Sequence, residues 1–182
     1  MNIYDALSKD HREFESLLDK LVFASKAGND QWKPILDQLR RGVIAHAHAE
    51  EAVFYNALRA ADAAEGIVAH SYTEHAMTET ELRTLSVAKA VDANWTSLME
   101  KLRKDLFHHI EEEEERIFGA ARKVFNEQEA EQIGAAFTRM KQDMAKDGDS
   151  MVASTIDLVA NLLPPRFTDS FRKSVKVVRK SA

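Results

Sequence analysis

The sequence predicts an all-α protein, an up-down-up-down four-helix bundle with additional C-terminal helices. Composition is one reason, because the 182 residues include only six glycines and three prolines, while helix formers such as Ala, Leu, Glu and Lys are plentiful. Periodicity is another, because apolar residues recur at alternating steps of three and four, as on helices with one buried face. The chain also contains two similar helix pairs in tandem, and such hairpins pack into a four-helix bundle.

The first two helices form the first hairpin. The first is predicted over about residues 2–26, with its end at Gly28. His11 takes one position of its apolar seam, so a polar side chain is expected in the core. The second helix is predicted to continue to about residue 61, and its first turn accommodates Pro34.

The third and fourth helices form the second hairpin. The third is predicted over about residues 62–89 and carries His75 on its inner face. The fourth is predicted over about residues 94–124, and its apolar stripe is formed by Leu98, Leu102, Leu106, Ile117 and Val124. Trp32 and Trp95 precede the second and fourth helices at equivalent places, and packing at one end of the bundle explains both.

Further helices are predicted after the bundle. Asn126 and Glu129 stand three residues apart, as in a helix capping box, and predict a fifth helix to about residue 146. Gly148 ends this helix. Another helical stretch follows, and Pro164 with Pro165 stops it.

We divide the chain into a bundle, residues 1–125, and a C-terminal helical extension, residues 126–182, that packs on the bundle. The tail from Arg166 has a basic face and an apolar face, the latter formed by Phe167, Phe171, Val175 and Val178. An amphipathic basic helix is also typical of a membrane-surface or partner-binding segment. Packing of the tail on the acidic bundle is the interpretation that we favour.

Two H-x-x-x-E motifs lie in the apolar stripes of the bundle, His46 with Glu50 and His109 with Glu113. On a helix, four residues advance about 400°, so the two side chains of each motif lie on one face, about one turn apart. A carboxylate in a bundle core is unfavourable unless it is paired or bound to a metal. The two motifs are offset by 63 residues and occupy equivalent places in the two hairpins.

The first and third helices each add one histidine, because Asp10-His11 and Glu74-His75 correspond at an offset of 64 residues. The inward polar set is His11, His46, Glu50, His75, His109 and Glu113. Imidazole and carboxylate suit first-row metals such as iron, zinc or manganese, and the chain has no cysteine that would add a thiolate. Two carboxylates in one core indicate two metal ions, because a carboxylate can bridge two cations and offset their repulsion.

Neighbouring polar residues have simpler explanations. His48 lies two residues from the motif histidine and therefore on another face, towards solvent or next to the ligands. The acidic run 111–115 has only Glu113 clearly inward. Glu51 and Glu114, which follow the two motif glutamates, are candidates to hydrogen-bond the inner ligands.

The pattern H, H-x-x-x-E, H, H-x-x-x-E resembles that of the hemerythrin-like, or HHE cation-binding, proteins. The match includes Asp10-His11, the run H-A-H-A-E-E-A-V-F-Y, Glu74-His75 and the run H-H-I-E-E-E-E-E-R-I-F, and covers about residues 5–125. The resemblance implies a four-helix bundle with two non-haem iron ions, bridged by carboxylates and an oxo or hydroxo oxygen. Glu50 and Glu113 would then be the bridging ligands, and His11, His46, His75 and His109 would be terminal ligands.

The sequence departs from oxygen-carrying hemerythrins in two respects. Those proteins have a fifth histidine one turn before the third-helix ligand, where this chain has Ser71. His70 lies about 140° around the helix from the seam and fits poorly. Oxygen carriers also separate the last histidine and carboxylate by five residues, a spacing that His108 and Glu113 would satisfy. We prefer His109 because the repeat aligns it with His46, and His108 stays an alternative.

The resemblance implies a di-iron protein that binds a small ligand, O2, NO or peroxide, for ligand binding, sensing or detoxification. Loss of the fifth histidine makes clean oxygen carriage less expected and chemistry with peroxide or NO more so. One alternative is a di-iron enzyme that turns over hydrogen peroxide or NO. Another is a metal-free helical interaction module whose polar core sets helix register. Ferritin-like storage is disfavoured, because those sites use E-x-x-H pairs.

Composition limits the remaining function classes. No secretory h-region occurs at the N-terminus, and no apolar run approaches the roughly 20 residues of a membrane span, so a cytoplasmic location is expected. The formal charge is −5 although residues 166–182 carry six basic residues against one aspartate. The bundle is therefore acidic, and nucleic acid is not an expected partner. A protein partner or a homo-oligomer stays open.

Overall fold

Helices make up the regular secondary structure of residues 1–27, 30–147 and 153–181, which are the residues that the computed structural model describes. We number these helices α1 to α7 in chain order. They are α1 (Ile3–Ser25), α2 (Trp32–Glu50, a π-helical turn Glu51–Tyr55, and Asn56–Ala60), α3 (Glu65–Ser86), α4 (Ala93–Glu112, a π-helical turn Glu113–Ile117, and Phe118–Val124), α5 (Glu127–Asp147), α6 (Ala153–Leu162) and α7 (Pro165–Ser181). The predicted all-α class is confirmed.

α1 to α4 form the predicted four-helix bundle. α1 packs on α2, α2 on α3 and α3 on α4, and α4 closes the bundle against α1. Connections between successive bundle helices are short, as in residues 61–64 and 87–92, so neighbouring helices run antiparallel. None of the helices in the described ranges combines the length and the apolarity that crossing a membrane requires.

Side-chain caps define where several helices begin. The Asn2 and Asp92 side chains each accept a hydrogen bond from the backbone N–H three residues later, at 2.9 and 2.7 Å, and so begin α1 and α4. At the start of α5, the Asn126 side chain accepts from the Glu129 N–H at 2.9 Å, while the Glu129 carboxylate accepts from the Asn126 N–H at 3.1 Å. The predicted capping box is confirmed.

Three predicted boundaries differ from the structure or lie outside the described residues. The third helix was expected from about residue 62, but α3 begins at Glu65. Asp62 and Ala64 have φ angles of 51° and 60°, a left-handed conformation that interrupts the helix before α3. The predicted helix ends at Gly28 and Gly148 lie outside the described residues.

A layer of polar side chains divides the core of the bundle in two. One apolar cluster lies towards the Trp32 end, where the Trp32 and Trp95 rings pack with centroids 5.2 Å apart, as predicted for this end. The other lies at the opposite end and includes residues from α5, α6 and α7. Between them lie His11, His46, Glu50, His75, His109 and Glu113. Apolar packing on both sides therefore holds the polar layer inside the protein.

The C-terminal helices pack on the second cluster. Phe167, Phe171 and Val175 of α7 are buried there, and the Phe167 ring contacts Phe125 at a centroid distance of 5.4 Å. The apolar face of the tail thus packs against the rest of the chain, as we favoured, although the side chain of Val178 lies outside the described part. The division at residue 125 stays a prediction.

α5 approaches the start of α1 closely at Gly134. A Cβ atom on this glycine would lie 2.6 Å from the Asn2 carbonyl carbon and from the Met1 oxygen, closer than atoms can pack. Glycine is therefore required here for the two backbones to meet. Gly119 in α4 has no such neighbour, because nothing lies within 4 Å of its Cβ position.

Gly134→Ala should destabilise the protein, because the new methyl group must displace backbone atoms of Asn2. We expect a loss of about 1–3 kcal/mol in the free energy of unfolding, measured by urea denaturation. Gly119→Ala is the matched control, and it should be neutral or stabilising by up to about 1 kcal/mol because alanine favours helices. Equal stability of the two variants would contradict the close approach of α5 to α1.

Candidate metal centre

Four histidines, one from each bundle helix, meet in the polar layer. His11, His46, His75 and His109 are all less than a tenth exposed. They lie where α1 to α4 pass the middle of the bundle, and the three-and-four spacing of each helix turns them inward. The sequence-based set of four inward histidines is thus brought together in the structure.

The first ligand set consists of His11, His46 and Glu113, whose donor atoms all lie within 4.8 Å of one another. The closest pair is the His11 Nε2 atom and the Glu113 Oε2 atom, at 3.2 Å. Three convergent nitrogen and oxygen donors are the number that a metal ion commonly takes from a protein when other positions stay open.

The second ligand set consists of Glu50, His75 and His109, whose donor atoms also lie within 4.8 Å of one another. The Glu50 Oε2 atom lies 3.5 Å from His75 Nε2, and the two histidine Nε2 atoms lie 3.1 Å apart. In the metal-free protein one of these two nitrogens donates to the other, and a cation bound between them would take the lone pairs of both.

Each glutamate also faces a histidine of the other set. Glu50 Oε2 lies 3.7 Å from His46 Nε2, and Glu113 Oε2 lies 3.9 Å from His109 Nε2. Each carboxylate therefore stands between imidazoles of both sets. This is the arrangement that bridging carboxylates would need.

The donor set fits a pair of cations. Both oxygens of Glu50 and both oxygens of Glu113 are buried without a hydrogen-bond partner among the described residues. Each such oxygen costs about 1–3 kcal/mol or more when it is charged. Metal coordination would satisfy these oxygens, and imidazole with carboxylate is a donor set that iron, manganese and zinc accept.

Burial keeps two of the histidines neutral. It lowers the pKa of His46 to about 4 and that of His75 to about 3. At His11 burial also opposes a proton, but Glu113 and Glu114 outweigh it and raise the pKa. Neutral imidazoles with a free lone pair are what a metal ion requires.

The two glutamates titrate in opposite directions. Burial and the charge of Glu113 raise the pKa of Glu50 well above its ordinary value. Burial also opposes ionisation of Glu113, but its close neighbours Glu50, His11 and His109 outweigh burial and lower its pKa. Two adjacent buried carboxylates cannot both ionise easily unless positive charge lies between them.

An outer carboxylate holds the Nδ1 atom of every inward histidine. The four contacts are His11 to Glu114 (2.8 Å), His46 to Asp10 (3.0 Å), His75 to Glu51 (2.8 Å) and His109 to Glu74 (2.9 Å). If Nδ1–H donates to the carboxylate, the lone pair of Nε2 is free to face the centre. Such carboxylates orient metal-binding histidines and raise their basicity.

Two of the four outer carboxylates were predicted from the sequence. Glu51 and Glu114 were predicted as hydrogen-bond partners of inner ligands, which the structure confirms. Asp10 and Glu74 were noticed only as neighbours of His11 and His75 in the repeat. The sequence contained a signal for them, because an acidic residue precedes the histidine in both copies of the repeat. Asp10 and Glu74 do not bond to those adjacent histidines, however. Each bonds to the motif histidine of the next helix.

Both motif helices contain a π-helical turn at the ligand glutamate, which the sequence did not predict. In α2 the turn Glu51–Tyr55 follows Glu50 directly, and in α4 the turn Glu113–Ile117 begins at the ligand itself. A π-turn accommodates one extra residue and often occurs at functional sites. Here it rotates the end of each helix, so Phe118 is buried while Val124, expected on the buried stripe, is only half-buried.

The alternative histidines lie away from the centre. His108 is exposed, while His109 is buried with its Nε2 atom facing His75. His70 is 58% exposed and lies beside Glu74 at 3.4 Å, outside the core. Ser71 is buried in place of the fifth histidine of oxygen carriers and donates to the Ile67 carbonyl at 3.3 Å.

His48 stays outside the polar layer, as predicted. Its Nε2 atom lies 3.3 Å from a Glu79 carboxylate oxygen, and the side chain is part-exposed. Both residues line the outer part of a cavity beside the polar layer. His48 is thus a neighbour of the centre rather than a member of either set.

A cavity of about 190 Å³ opens onto the centre. All four inward histidines line it. Its apolar wall includes Phe14, Val43, Leu106 and Ile110. The Tyr55 ring stacks on His75 beside it, at a centroid distance of 5.8 Å, and the Tyr55 hydroxyl is buried. For comparison, an apolar cavity of about 150 Å³ holds one benzene molecule.

Comparison with known protein families gives one match. The family model described as Hemerythrin HHE cation binding domain matches residues 2–121. The matched segment contains every residue of both ligand sets and ends within α4. No curated protein and no solved structure matches the chain.

Glu50→Gln should stabilise the metal-free protein at pH 7, by about 1 kcal/mol or more. Because the pKa of Glu50 is raised in the folded state, the wild type loses stability as pH rises above about 4.5, the ordinary value. The glutamine variant lacks this loss. The stability difference should therefore widen from pH 5 to pH 8 in urea denaturation with chelator present.

Glu131→Gln, which removes an exposed glutamate of α5, is the control and should follow the wild type. A Glu50→Gln variant less stable than the wild type at every pH would show that the buried carboxylate is satisfied without metal.

Proposed function

The chain belongs to the hemerythrin HHE cation-binding family, and on this basis we propose that it holds two iron ions and binds O2, NO or peroxide there. Its role would be small-ligand binding, sensing or detoxification. The ligands would be His11, His46, Glu50, His75, His109 and Glu113.

One observation carries the proposal of two ions. The Glu50 and Glu113 carboxylates are buried, their oxygens lack hydrogen-bond partners within the part of the chain that the structure describes, and each faces imidazole nitrogens of both ligand sets. Each of the two ligand sets offers three donors within 4.8 Å of one another, so a single cation would fill one set and leave the donors of the other set without a partner. Two cations would fill both sets, and the two glutamates would bridge them.

Iron is favoured among the metals that suit this donor set. The donors are nitrogen and oxygen only, because the chain has no cysteine, and such sites accept iron, manganese and zinc alike. The resemblance to hemerythrins is the reason that we propose iron. Bound iron would supply a change of oxidation state and open coordination positions for the ligand.

The chain's own residues would fix the geometry and the access of this centre. Outer carboxylates hold each histidine by its Nδ1 atom, so Nε2 is aimed inward before any ion binds. Phe14, Val43, Leu106 and Ile110 line the cavity and limit the water that reaches the centre. Both effects favour a small, weakly polar ligand over bulk solvent.

The size of the cavity supports a ligand of two to four atoms. Pockets for ordinary organic molecules measure about 300–1,000 Å³, and the cavity here is about 190 Å³. It would hold O2, NO or hydrogen peroxide, with room for one or two waters. An organic substrate of ordinary metabolite size would not fit without rearrangement.

Turnover of peroxide or NO is the second candidate function. Ser71 replaces an imidazole beside the second set, and its hydroxyl is engaged with a backbone carbonyl. This leaves fewer protein donors next to the cavity than an oxygen carrier has. An additional open position would suit reaction of a ligand more than its unchanged release.

We also propose a cytoplasmic location and no nucleic-acid partner. A protein partner or a homo-oligomer stays open.

A metal-free interaction module is the competing explanation of the polar layer. It predicts that chelation leaves the melting temperature unchanged, whereas metal bound only by the folded state must raise it.

Protein purified without added metal or affinity tag should contain close to two irons per chain by elemental analysis. His109→Ala should hold one iron or fewer, because it removes a donor of the second set. His108→Ala is the matched control, since it deletes an exposed histidine one residue away, and it should keep both irons. Circular dichroism checks that both variants are folded.

Less than half an equivalent of any metal in folded wild-type protein, with no uptake of added ferrous iron, would refute the dinuclear proposal. Equal iron loss in the two histidine variants would refute the assignment of His109 as a ligand.

Peroxide or NO consumption distinguishes the two candidate functions. If the protein only binds its ligand, iron-loaded protein should consume no more than about one equivalent per centre and should change its absorption spectrum in proportion. If it is an enzyme, consumption should exceed the protein concentration many times over. His109→Ala should abolish such turnover, while His108→Ala should retain it, as measured with an oxygen or NO electrode.

A further inference from the structure

α5 contributes a charged side chain to the surroundings of the first ligand set, although it lies beyond residue 121, where the family match ends. The Lys141 ammonium donates to both carboxylate oxygens of Asp10, at 2.5 and 2.6 Å. Asp10 is only 4% exposed, and its Oδ2 atom accepts from His46 Nδ1 at 3.0 Å. A continuous chain of contacts thus runs from α5 to a ligand histidine.

A second residue of α5 contacts the same imidazole. The Phe137 ring, one turn before Lys141, meets the edge of the His46 ring at a centroid distance of 5.5 Å and nearly a right angle. Phe137 is buried. His46 is therefore held at Nδ1 through Asp10 and at its ring by Phe137, and both supports depend on α5.

In the second ligand set, the carboxylate equivalent to Asp10 has a different outer neighbour. The repeat pairs Asp10 with Glu74, which holds His109 Nδ1 at 2.9 Å. The outer neighbour of Glu74 is His70, whose Nε2 atom lies 3.4 Å away and whose side chain is 58% exposed. Asp10 thus has a permanently charged ammonium on its outer side, whereas Glu74 has a solvent-exposed imidazole.

The other two outer carboxylates, Glu114 and Glu51, also differ in whether a cation lies on their outer side. Glu114, which holds His11, accepts from Arg12 at 2.8 Å. Its equivalent in the second set, Glu51, faces the cavity instead. Arg12 is more than half exposed, so its ion pair contributes little by itself. Lys141 is the stronger support because its partner is buried and both its contacts are short.

We infer that α5 is part of the metal centre and that Lys141 is a positioning residue, which holds Asp10, and through it His46, so that the first ligand set binds its ion more tightly than the second. The inference rests on the proposed function, because it concerns the two ions of that centre. It makes the centre asymmetric although the ligands repeat.

Physical reasons connect the ammonium to the ion. A fixed carboxylate fixes the imidazole that it bonds, and the loss of such a partner typically weakens metal binding 10–100-fold. The ammonium also draws negative charge away from the bond between Asp10 and His46. Without it, His46 becomes a more electron-donating ligand and a positive charge near the ion is lost, and both changes favour the more oxidised metal.

Lys141→Met tests the inference in the full-length, iron-loaded protein. One of the two irons should be released to a chelator up to about 10-fold more readily than in the wild type, because Asp10 remains but is less firmly held. The other iron should be released as before. The midpoint potential of the centre should fall. Lys141→Arg should restore both properties, because it keeps a cation opposite Asp10.

Arg139→Met is the matched control. It removes another cation from α5, one that is 43% exposed and that donates to Asp143 at 2.8 Å. This variant should retain wild-type iron release and potential. If Lys141→Met does not fold by circular dichroism, Lys141→Gln replaces it, because glutamine keeps a hydrogen bond to Asp10 and removes only the charge.

The outcomes separate this inference from the proposed function. Wild-type protein that binds no iron pair would refute both. Wild-type protein with two irons, together with a Lys141 variant whose iron release and potential are unchanged, would overturn the inference alone. Equal weakening by Arg139→Met would also overturn it, since the effect would then be a general loss of charge or stability in α5.

Discussion

Burial of two carboxylates, Glu50 and Glu113, in one apolar core is the constraint on which the rest of the structure depends. Among residues 1–27, 30–147 and 153–181 neither carboxylate finds a hydrogen-bond donor, so the fold must tolerate their charge or bind cations. The surroundings are organised accordingly. Four imidazoles converge on the pair, an outer carboxylate fixes each imidazole, and apolar clusters pack on both sides of the layer. A bundle of this length would pack more simply with apolar residues at these positions, which is why the polar layer indicates function.

Most of the fold and the inner site followed from helical periodicity in the sequence. The three-and-four spacing of Leu, Val and Ile gives the helices, and a polar residue in the same spacing is conspicuous for that reason. His11 and His75 could be placed inward on this ground alone. The repeat then distinguished His109 from His108, because one residue of offset moves a side chain by about 100°. Local rules at Asn126 and Glu129 predicted a capping box that the structure contains.

What the sequence could not give depends on contacts between distant residues or on small departures from regular geometry. The π-turns require one more residue per turn than an α-helix, and nothing in Glu113 or its neighbours marks that change. As a result Val124 was expected to be buried and is half-buried, while its neighbour Phe125 is buried. The bonds from Asp10 and Glu74 to histidines of other helices have the same origin, because each side chain reaches across the bundle and periodicity describes one helix at a time.

The contact between Lys141 and Asp10 can form only late in synthesis of the chain on the ribosome. The two residues are 131 positions apart in the chain. A ribosome adds about 5–20 residues per second, so Asp10 and His46 are synthesised several seconds before Lys141. During that interval the first hairpin can collapse, but the carboxylate beside His46 still lacks its ammonium partner. The charge balance around His46 is therefore a property of the finished polypeptide, and a truncated or stalled chain would have the histidines of the bundle without it.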